Sequence, residues 1–215
     1  MRLGVFGGTF NPVHYGHLRA AEEAREMLRL DRVLFVPAGN PPLKSSGLAP
    51  APDRLRMAEL AVAGNPCFEV SDVECRTGEV SYTVNTLHRL GASHPEAALF
   101  FILGIDAFMD MPHWRQPEKL AAMADFAILG RPPREFSEVL SSPFVETGAM
   151  EEETEGGLQS LPLKGGRRAF LLGITPLDIS ATAIREAVGR GGSVKYLLPE
   201  KVESFIITHG LYSGK

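Results

Sequence analysis

Gly7-Gly8-Thr9-Phe10-Asn11-Pro12-Val13-His14-Tyr15-Gly16-His17 follows the apolar run Leu3 to Phe6 and precedes a helical pattern. A buried strand is expected to end at Phe6. Two glycines then let the backbone turn tightly and approach a ligand, and a helix opens near Tyr15 with unpaired N–H groups and a positive dipole end. That combination is a site for phosphate. His14 and His17, three residues apart, share one face of the first helical turn, so both imidazoles can point at the same phosphate oxygens. A glycine turn alone is common between strand and helix, and a single histidine there is more often structural than catalytic. His-x-x-His also suits a metal, but zinc takes three or four ligands and no second pair follows at matching spacing. The stretch is neither a G-x-G-x-x-G dinucleotide fingerprint nor a P-loop ending in Gly-Lys-Ser/Thr.

Apolar runs recur between helical patterns at Leu3 to Phe6, Val33 to Val36, Phe68 to Val70, Leu99 to Leu103, Phe126 to Leu129 and Phe170 to Leu172. Short strands buried on both faces read this way. Between the first two, Leu18, Ala21, Ala24, Met27 and Leu28 form an apolar stripe, while Glu22, Glu23, Glu26 and Arg29 are expected to face water. This βαβ pattern implies a doubly wound parallel α/β sheet, three layers deep, whose ligands lie outside the carboxyl ends of the strands. The Gly7–His17 stretch is at such an end.

The 215 residues suffice for a full core, and one domain spanning 1–215 is the simplest division. Hydrophobic residues at 44% and charged residues at 22% fit a globular protein. A net charge of −4 argues against a nucleic-acid polyanion as partner. Cys67 and Cys75 have neither zinc nor redox spacing, so free thiols in a reducing compartment are expected. No apolar run reaches membrane-spanning length, so a cytoplasmic protein without a membrane partner is the expectation. The oligomeric state, homo-oligomer included, stays open.

Pro37-Ala38-Gly39-Asn40-Pro41-Pro42-Leu43-Lys44 is a loop forced by its prolines and glycine, ending at a lysine. Asp53 is expected to open a helix with Leu55, Met57, Leu60 and Ala61 as its core side, closed by Gly64-Asn65-Pro66. Gly104-Ile105-Asp106 ends a strand, where an aspartate can accept bonds from ribose hydroxyls, orient a metal or cap a helix. Met111-Pro112-His113-Trp114 carries the only tryptophan, which on its own reads as packing. Residues from about 134 to 166, with Glu151-Glu152-Glu153 and Gly156-Gly157, read as a solvated insertion or flap. In Asp178-Ile179-Ser180-Ala181-Thr182-Ala183-Ile184-Arg185, Ser180 can cap a helix that carries Arg185 about a turn and a half along. The stretch from Tyr196 through Tyr212 reads as an amphipathic helix stopped by Gly210.

Taken together these motifs resemble the H-x-G-H nucleotidyltransferase superfamily, and their wording is closest to bacterial nicotinate-nucleotide adenylyltransferases. Gly7–His17 resembles the first signature, and Ile179-Ser180-Ala181-Thr182-Ala183-Ile184-Arg185 resembles the second, I-S-x-T-x-I-R. Ser81-Tyr82-Thr83-Val84-Asn85-Thr86-Leu87 resembles the family's Ser-Tyr-Thr-x-Asp-Thr-Leu, with Asn85 in place of aspartate. Pro41-Pro42-Leu43-Lys44 resembles Pro-Pro-His-Lys, so Lys44 carries over and a role for position 43 does not.

The resemblance implies an enzyme that joins ATP and nicotinate mononucleotide into deamido-NAD and pyrophosphate by direct in-line attack. His14, His17, Lys44 and Arg185 would be its catalytic set. Gly7, Gly8, Thr9 and Phe10 would line ATP together with Asp106, and Ile179, Ser180 and Thr182 would meet its phosphates beside Arg185. The pyridine nucleotide would meet Thr9, Phe10, Lys44, Tyr82 and Thr83, with Trp114 stacking on its ring and Arg131 at the rim. Mg2+ would arrive with ATP and keep most of its waters, with no carboxylate cage from the protein. Nicotinamide mononucleotide or phosphopantetheine as the acceptor, or a non-catalytic nucleotide sensor, are the competing readings.

Overall fold

Each of the six apolar runs forms a strand in the computed structural model, which describes residues 1–42, 47–130, 134–150, 152–153 and 157–213. In chain order the elements are β1 (Arg2–Gly8), α1 (Tyr15–Met27), β2 (Arg32–Pro37), α2 (Ala51–Val62), β3 (Phe68–Val70) and α3 (Thr83–Ser93). Then come β4 (Ala98–Gly104), α4 (Ile105–Asp110), α5 (Pro117–Ala121), β5 (Asp125–Leu129), β6 (Glu152–Glu153) and β7 (Gln159–Leu163). The chain ends with β8 (Arg167–Leu172), α6 (Ala181–Gly189) and α7 (Glu200–Thr208).

The strands follow the order β3-β2-β1-β4-β5-β8-β7-β6. Pairing is parallel from β1 through β4 and β5 to β8, with Val5 opposite Phe101 and Ile128 opposite Leu171. It is antiparallel from β8 to β7 and β6. The strand order reverses between β1 and β4, the position at which open parallel sheets take their ligands. The mostly parallel, doubly wound sheet is the one the sequence pattern implies. Among the described residues, no helix is long and apolar enough to cross a membrane.

By contacts the chain divides into two compact units, each drawing on three stretches of sequence. The first comprises Met1–Gly7, Ala20–Val33 and Tyr82–Pro176. Its core includes Phe101, Phe108 and Phe126, with the Phe126 ring meeting the other two edge to face at 6.1 and 5.7 Å. Gly4 leaves room in β1 for Leu30 and Ile102, since a Cβ there would lie 2.8 Å from Leu30 Cδ1 and 3.0 Å from Ile102 Cδ1. The second unit comprises Gly8–Arg19, Leu34–Ser81 and Leu177–Lys215. It strings Phe10, Phe35 and Phe68 together at centroid distances of 5.6 and 5.2 Å. Helix α2 buries Met57, Ala58 and Val62, and α7 buries Val202 and Ile206.

Several local expectations need correction. Strand β1 runs on through Gly8 instead of ending at Phe6, and α2 begins at Ala51, where Pro52 suits the first turn. The buried side of α2 is Arg54, Met57, Ala58 and Val62, whereas Leu55, Leu60 and Ala61 are only half-buried. Glu23 does not face water. It is buried and accepts from both the backbone N–H and the hydroxyl of Thr175, each at 2.6 Å. Helix α7 covers only Glu200–Thr208 of the expected C-terminal helix, with Gly210 at φ +61° behind it. Within 134–166, Val139, Phe144, Val145, Leu161 and Leu163 are buried, and β7 pairs with β8. Alternation of Leu161 and Leu163 about the half-buried Pro162 is too short a pattern to announce a strand. Cys67 and Cys75 are free thiols.

Candidate active site

The second unit builds the H-x-G-H turn around a ring that folds back. Phe10, at φ +47°, lays its phenyl over Gly8, where a Cβ would come within 3.1 Å of Phe10 Cζ. Phe10, Val13 and His14 are all buried. The His14 carbonyl accepts from the backbone N–H groups of His17 and Leu18, so His14 stands at the mouth of α1. His17 lies one turn on. The two imidazoles stack at 3.7 Å between centroids and 26° between planes, on one face as their spacing requires. Gly16 makes this possible, because a Cβ there would press to 3.1 Å from His14 Cε1 and Nδ1.

One bond sets the chemistry of the pair. The backbone N–H of His14 donates to His17 Nδ1 at 3.2 Å. With Nδ1 accepting, the His17 proton is assigned to Nε2, which leaves a ring N–H donor on the far side of the imidazole. Phe10 meets the His17 ring edge-on at 5.2 Å and 84°, which limits its rotation.

Helix α6 brings a cation to the same turn. Ser180 caps α6 by accepting from the Ala183 N–H at 3.4 Å, as its sequence position implies. Arg185 donates through Nη1 to the Asn11 carbonyl at 2.8 Å and through Nη2 to Thr182 Oγ1 at 3.1 Å. Thus the guanidinium of the second signature is bonded to the backbone of the first. Ile179 is half-buried, while Ser180 and Thr182 are exposed.

Two side chains in this unit were not legible as part of the site. Arg54 is 1% exposed, and among the described residues none of its acceptors is a carboxylate. Its guanidinium donates to the carbonyls of Thr9 at 2.9 Å, Gly39 at 2.9 Å, Ala49 at 3.0 Å and Ala38. Burial pulls its pKa below the ordinary guanidinium value. Asn11, also buried, donates to the Gly47 carbonyl at 2.9 Å and accepts from the Ala49 N–H at 3.0 Å and the Tyr212 hydroxyl at 2.7 Å. Both residues lock the Thr9–Asn11 backbone to the chain that flanks positions 43–46. Leu43 and Lys44 themselves lie outside the described residues, as does Arg131.

The first unit carries the remaining candidates. Asp106 is in the first turn of α4, whose N-cap is Gly104, so the aspartate does not cap the helix. Its exposed carboxylate accepts from Arg134 Nε at 3.0 Å. Arg134 also pairs with Glu138, and this bond holds the Glu138 carboxyl below its usual range. Trp114 is half-buried; its indole N–H donates to Asp110 Oδ2 at 3.2 Å and its ring stands edge-on to Phe101 at 6.4 Å. Tyr82 and Thr83 open α3, both half-buried, with the Arg115 guanidinium 4.6 Å over the Tyr82 ring. Asn85 is exposed. Gly7, the last residue of this unit's first stretch, would bring a Cβ to 3.4 Å from Phe101.

A parallel sheet that reverses at β1, with a histidine pair at the opening of the helix that follows β1, is the frame of a nucleotidyltransferase. Residues 5–187 match the cytidylyltransferase-like family model. A "Probable nicotinate-nucleotide adenylyltransferase" of Pelobacter propionicus is 39% identical over 214 residues, covering 99% of either chain. One of the same name from Desulfatibacillum aliphaticivorans is 42% identical, over 99% of this chain and 100% of its own. A solved structure of Plasmodium falciparum nicotinic acid mononucleotide adenylyltransferase complexed with NaAD superposes with a TM-score of 0.76 at 19% identity, covering 98% of this chain and 97% of that one; it speaks to the fold. The chain belongs to the nicotinate-nucleotide adenylyltransferase family, within the cytidylyltransferase-like nucleotidyltransferases.

Proposed function

We propose that this chain transfers the adenylyl group of ATP to nicotinate mononucleotide, giving deamido-NAD and pyrophosphate, as a step of NAD biosynthesis. An oxygen of the mononucleotide phosphate attacks the ATP α-phosphorus in line. The bond from the α-phosphorus to the bridging oxygen breaks, and its electron pair leaves with pyrophosphate. The attacking phosphate is already an anion near neutral pH, so no strong base is needed. The protein's work is to align two anions and to offset charge on the equatorial and departing oxygens.

The observation that supports this reading best is the pairing of a fixed His17 donor with Arg185 on one turn. In this proposal His14 and His17 donate to the α-phosphate and bridging oxygens, and the backbone of Gly7 to Phe10 lies along the nucleotide. Arg185 takes the β and γ phosphates with its bidentate fork, beside Ile179, Ser180 and Thr182, and Lys44 adds a point charge. Asp106 accepts from ribose hydroxyls. Tyr82, Thr83, Trp114 and Arg131 receive the pyridine nucleotide.

ATP enters as its Mg2+ complex, the ion held by phosphate oxygens and water, where it offsets charge on the leaving group. Among the described residues, no group of three or more His, Cys, Asp or Glu side chains could hold a metal ion. A cation carried by the substrate requires none. We place the reaction in a single domain spanning residues 1–215 and in the cytoplasm, in keeping with the two free thiols.

Pyrophosphate release from ATP, measured with nicotinate mononucleotide, nicotinamide mononucleotide and phosphopantetheine offered separately, tests the proposal. The nicotinate nucleotide is expected to give the highest kcat/KM. Release with phosphopantetheine alone would reassign the acceptor, and no release with any of the three would make the protein a sensor. Trp114 supplies a second test. Its indole is oriented by Asp110, and loss of a stacking face costs roughly 1–3 kcal/mol per base. Trp114→Ala is therefore expected to raise KM for the pyridine nucleotide about tenfold while leaving KM for ATP nearly unchanged. Equal shifts in both would return the residue to packing.

A further inference from the structure

Asn11 is the junction of the second unit. Its side-chain amide reaches Gly47, Ala49 and Tyr212, while its backbone carbonyl holds the Arg185 guanidinium. Tyr212 lies 201 residues further along the chain and is itself held in an uncommon backbone conformation at φ +62°. A tyrosine with positive φ is rare, and it persists only where surrounding contacts fix it. Here the fixing contact is the 2.7 Å bond from its hydroxyl to Asn11 Oδ1. That oxygen accepts a second bond from the Ala49 N–H, so the side-chain carbonyl of Asn11 is fully used. Burial pushes the Tyr212 phenol above the ordinary tyrosine range, so the hydroxyl stays a donor throughout neutral and mildly alkaline pH.

We propose that Tyr212 is a positioning residue for the triphosphate: by holding Asn11 it sets the carbonyl against which Arg185 is aimed. The chain's last described turn thereby acts on the phosphate end of ATP. This rests on the role proposed above for Arg185. Tyr212 touches no substrate in this scheme. It acts through two bonds, from its hydroxyl to Asn11 and from the Arg185 guanidinium to the Asn11 carbonyl.

The test is a double-mutant cycle read by calorimetric binding of an unreactive ATP analogue with Mg2+, alongside steady-state kinetics. Tyr212→Phe removes only the hydroxyl. It is expected to weaken analogue binding and raise KM for ATP by about five- to tenfold, with KM for nicotinate mononucleotide within about twofold of wild type. In an Arg185→Lys background the same change is expected to have almost no further effect, because the two residues act as one unit. Full, additive loss in that background, or unchanged affinity in Tyr212→Phe alone, would overturn the inference. Should Tyr212→Phe melt below assay temperature, a variant with 4-aminophenylalanine at position 212, whose para N–H keeps a donor at the reach of the phenol, takes its place. Affinity near wild type would then support the inference, and a five- to tenfold loss would contradict it. Binding is read without turnover, so a wild-type protein that binds the analogue but releases no pyrophosphate sinks the functional proposal alone.

Discussion

Alanine at position 17 is expected to lower kcat by about 10²–10³-fold, the usual cost of losing one preorganised donor to a transition-state oxyanion. The expectation follows from how the ring is held. Its Nδ1 is occupied by the His14 N–H, and Phe10 and His14 brace the imidazole from its edge and face. The Nε2–H is therefore fixed before substrate arrives, and little reorganisation is needed as charge develops on the α-phosphate. An interaction made mainly in the transition state lowers kcat and kcat/KM together. KM for ATP should accordingly move by no more than a few-fold. Steady-state pyrophosphate release checks this, and turnover close to wild type would remove His17 from the chemistry.

The second large effect is expected in stability. Arg54→Met keeps an unbranched side chain of similar reach but leaves the carbonyls of Thr9, Ala38, Gly39 and Ala49 without their shared donor. A buried acceptor left unpaired costs roughly 1–3 kcal/mol, and water entering the site recovers part of it. A net loss on the order of 3 kcal/mol is reasonable, which for a chain of this size is a fall of about 6–12 °C in Tm. Thermal melting of the two proteins measures it. A shift within about one degree would mean that the four carbonyls find other partners without cost. Because Thr9 is proposed to lie along the nucleotide, the folded fraction of the variant is also expected to show weakened ATP affinity.

The sequence pattern carried much of this architecture and a definite part of the site. Six strands and the opening of α1 at Tyr15 were legible because each is governed by local rules: continuous apolar runs and helix-end chemistry. The histidine pair was legible for the same reason, since spacing on a helix fixes which side chains share a face. Arg54 and Glu23 were not. Each is charged, and charge on a helix is ordinarily solvated. The signal was there in register: Arg54 lies three and four residues before Met57 and Ala58, on the buried stripe itself, and Glu23 sits between the buried Ala20 and Ala24. A charge inside an apolar stripe requires a polar partner, and the structure supplies carbonyls for one and Thr175 for the other. The Asn11–Tyr212 bond has no local signature, because it joins residues 201 positions apart. Strands β6 and β7 were hidden by length, their described parts being two and five residues amid glycine and glutamate.

The central claim is that the His14–His17 pair and the Arg185 guanidinium serve one triphosphate. A crystal structure of the protein with α,β-methylene ATP and Mg2+ tests it most directly. The account predicts α-phosphate and bridging-group contacts at hydrogen-bond distance, about 2.7–3.2 Å, from the histidine ring nitrogens, with β- or γ-phosphate oxygens on Arg185. A triphosphate bound elsewhere, touching neither the imidazoles nor the guanidinium, would contradict it.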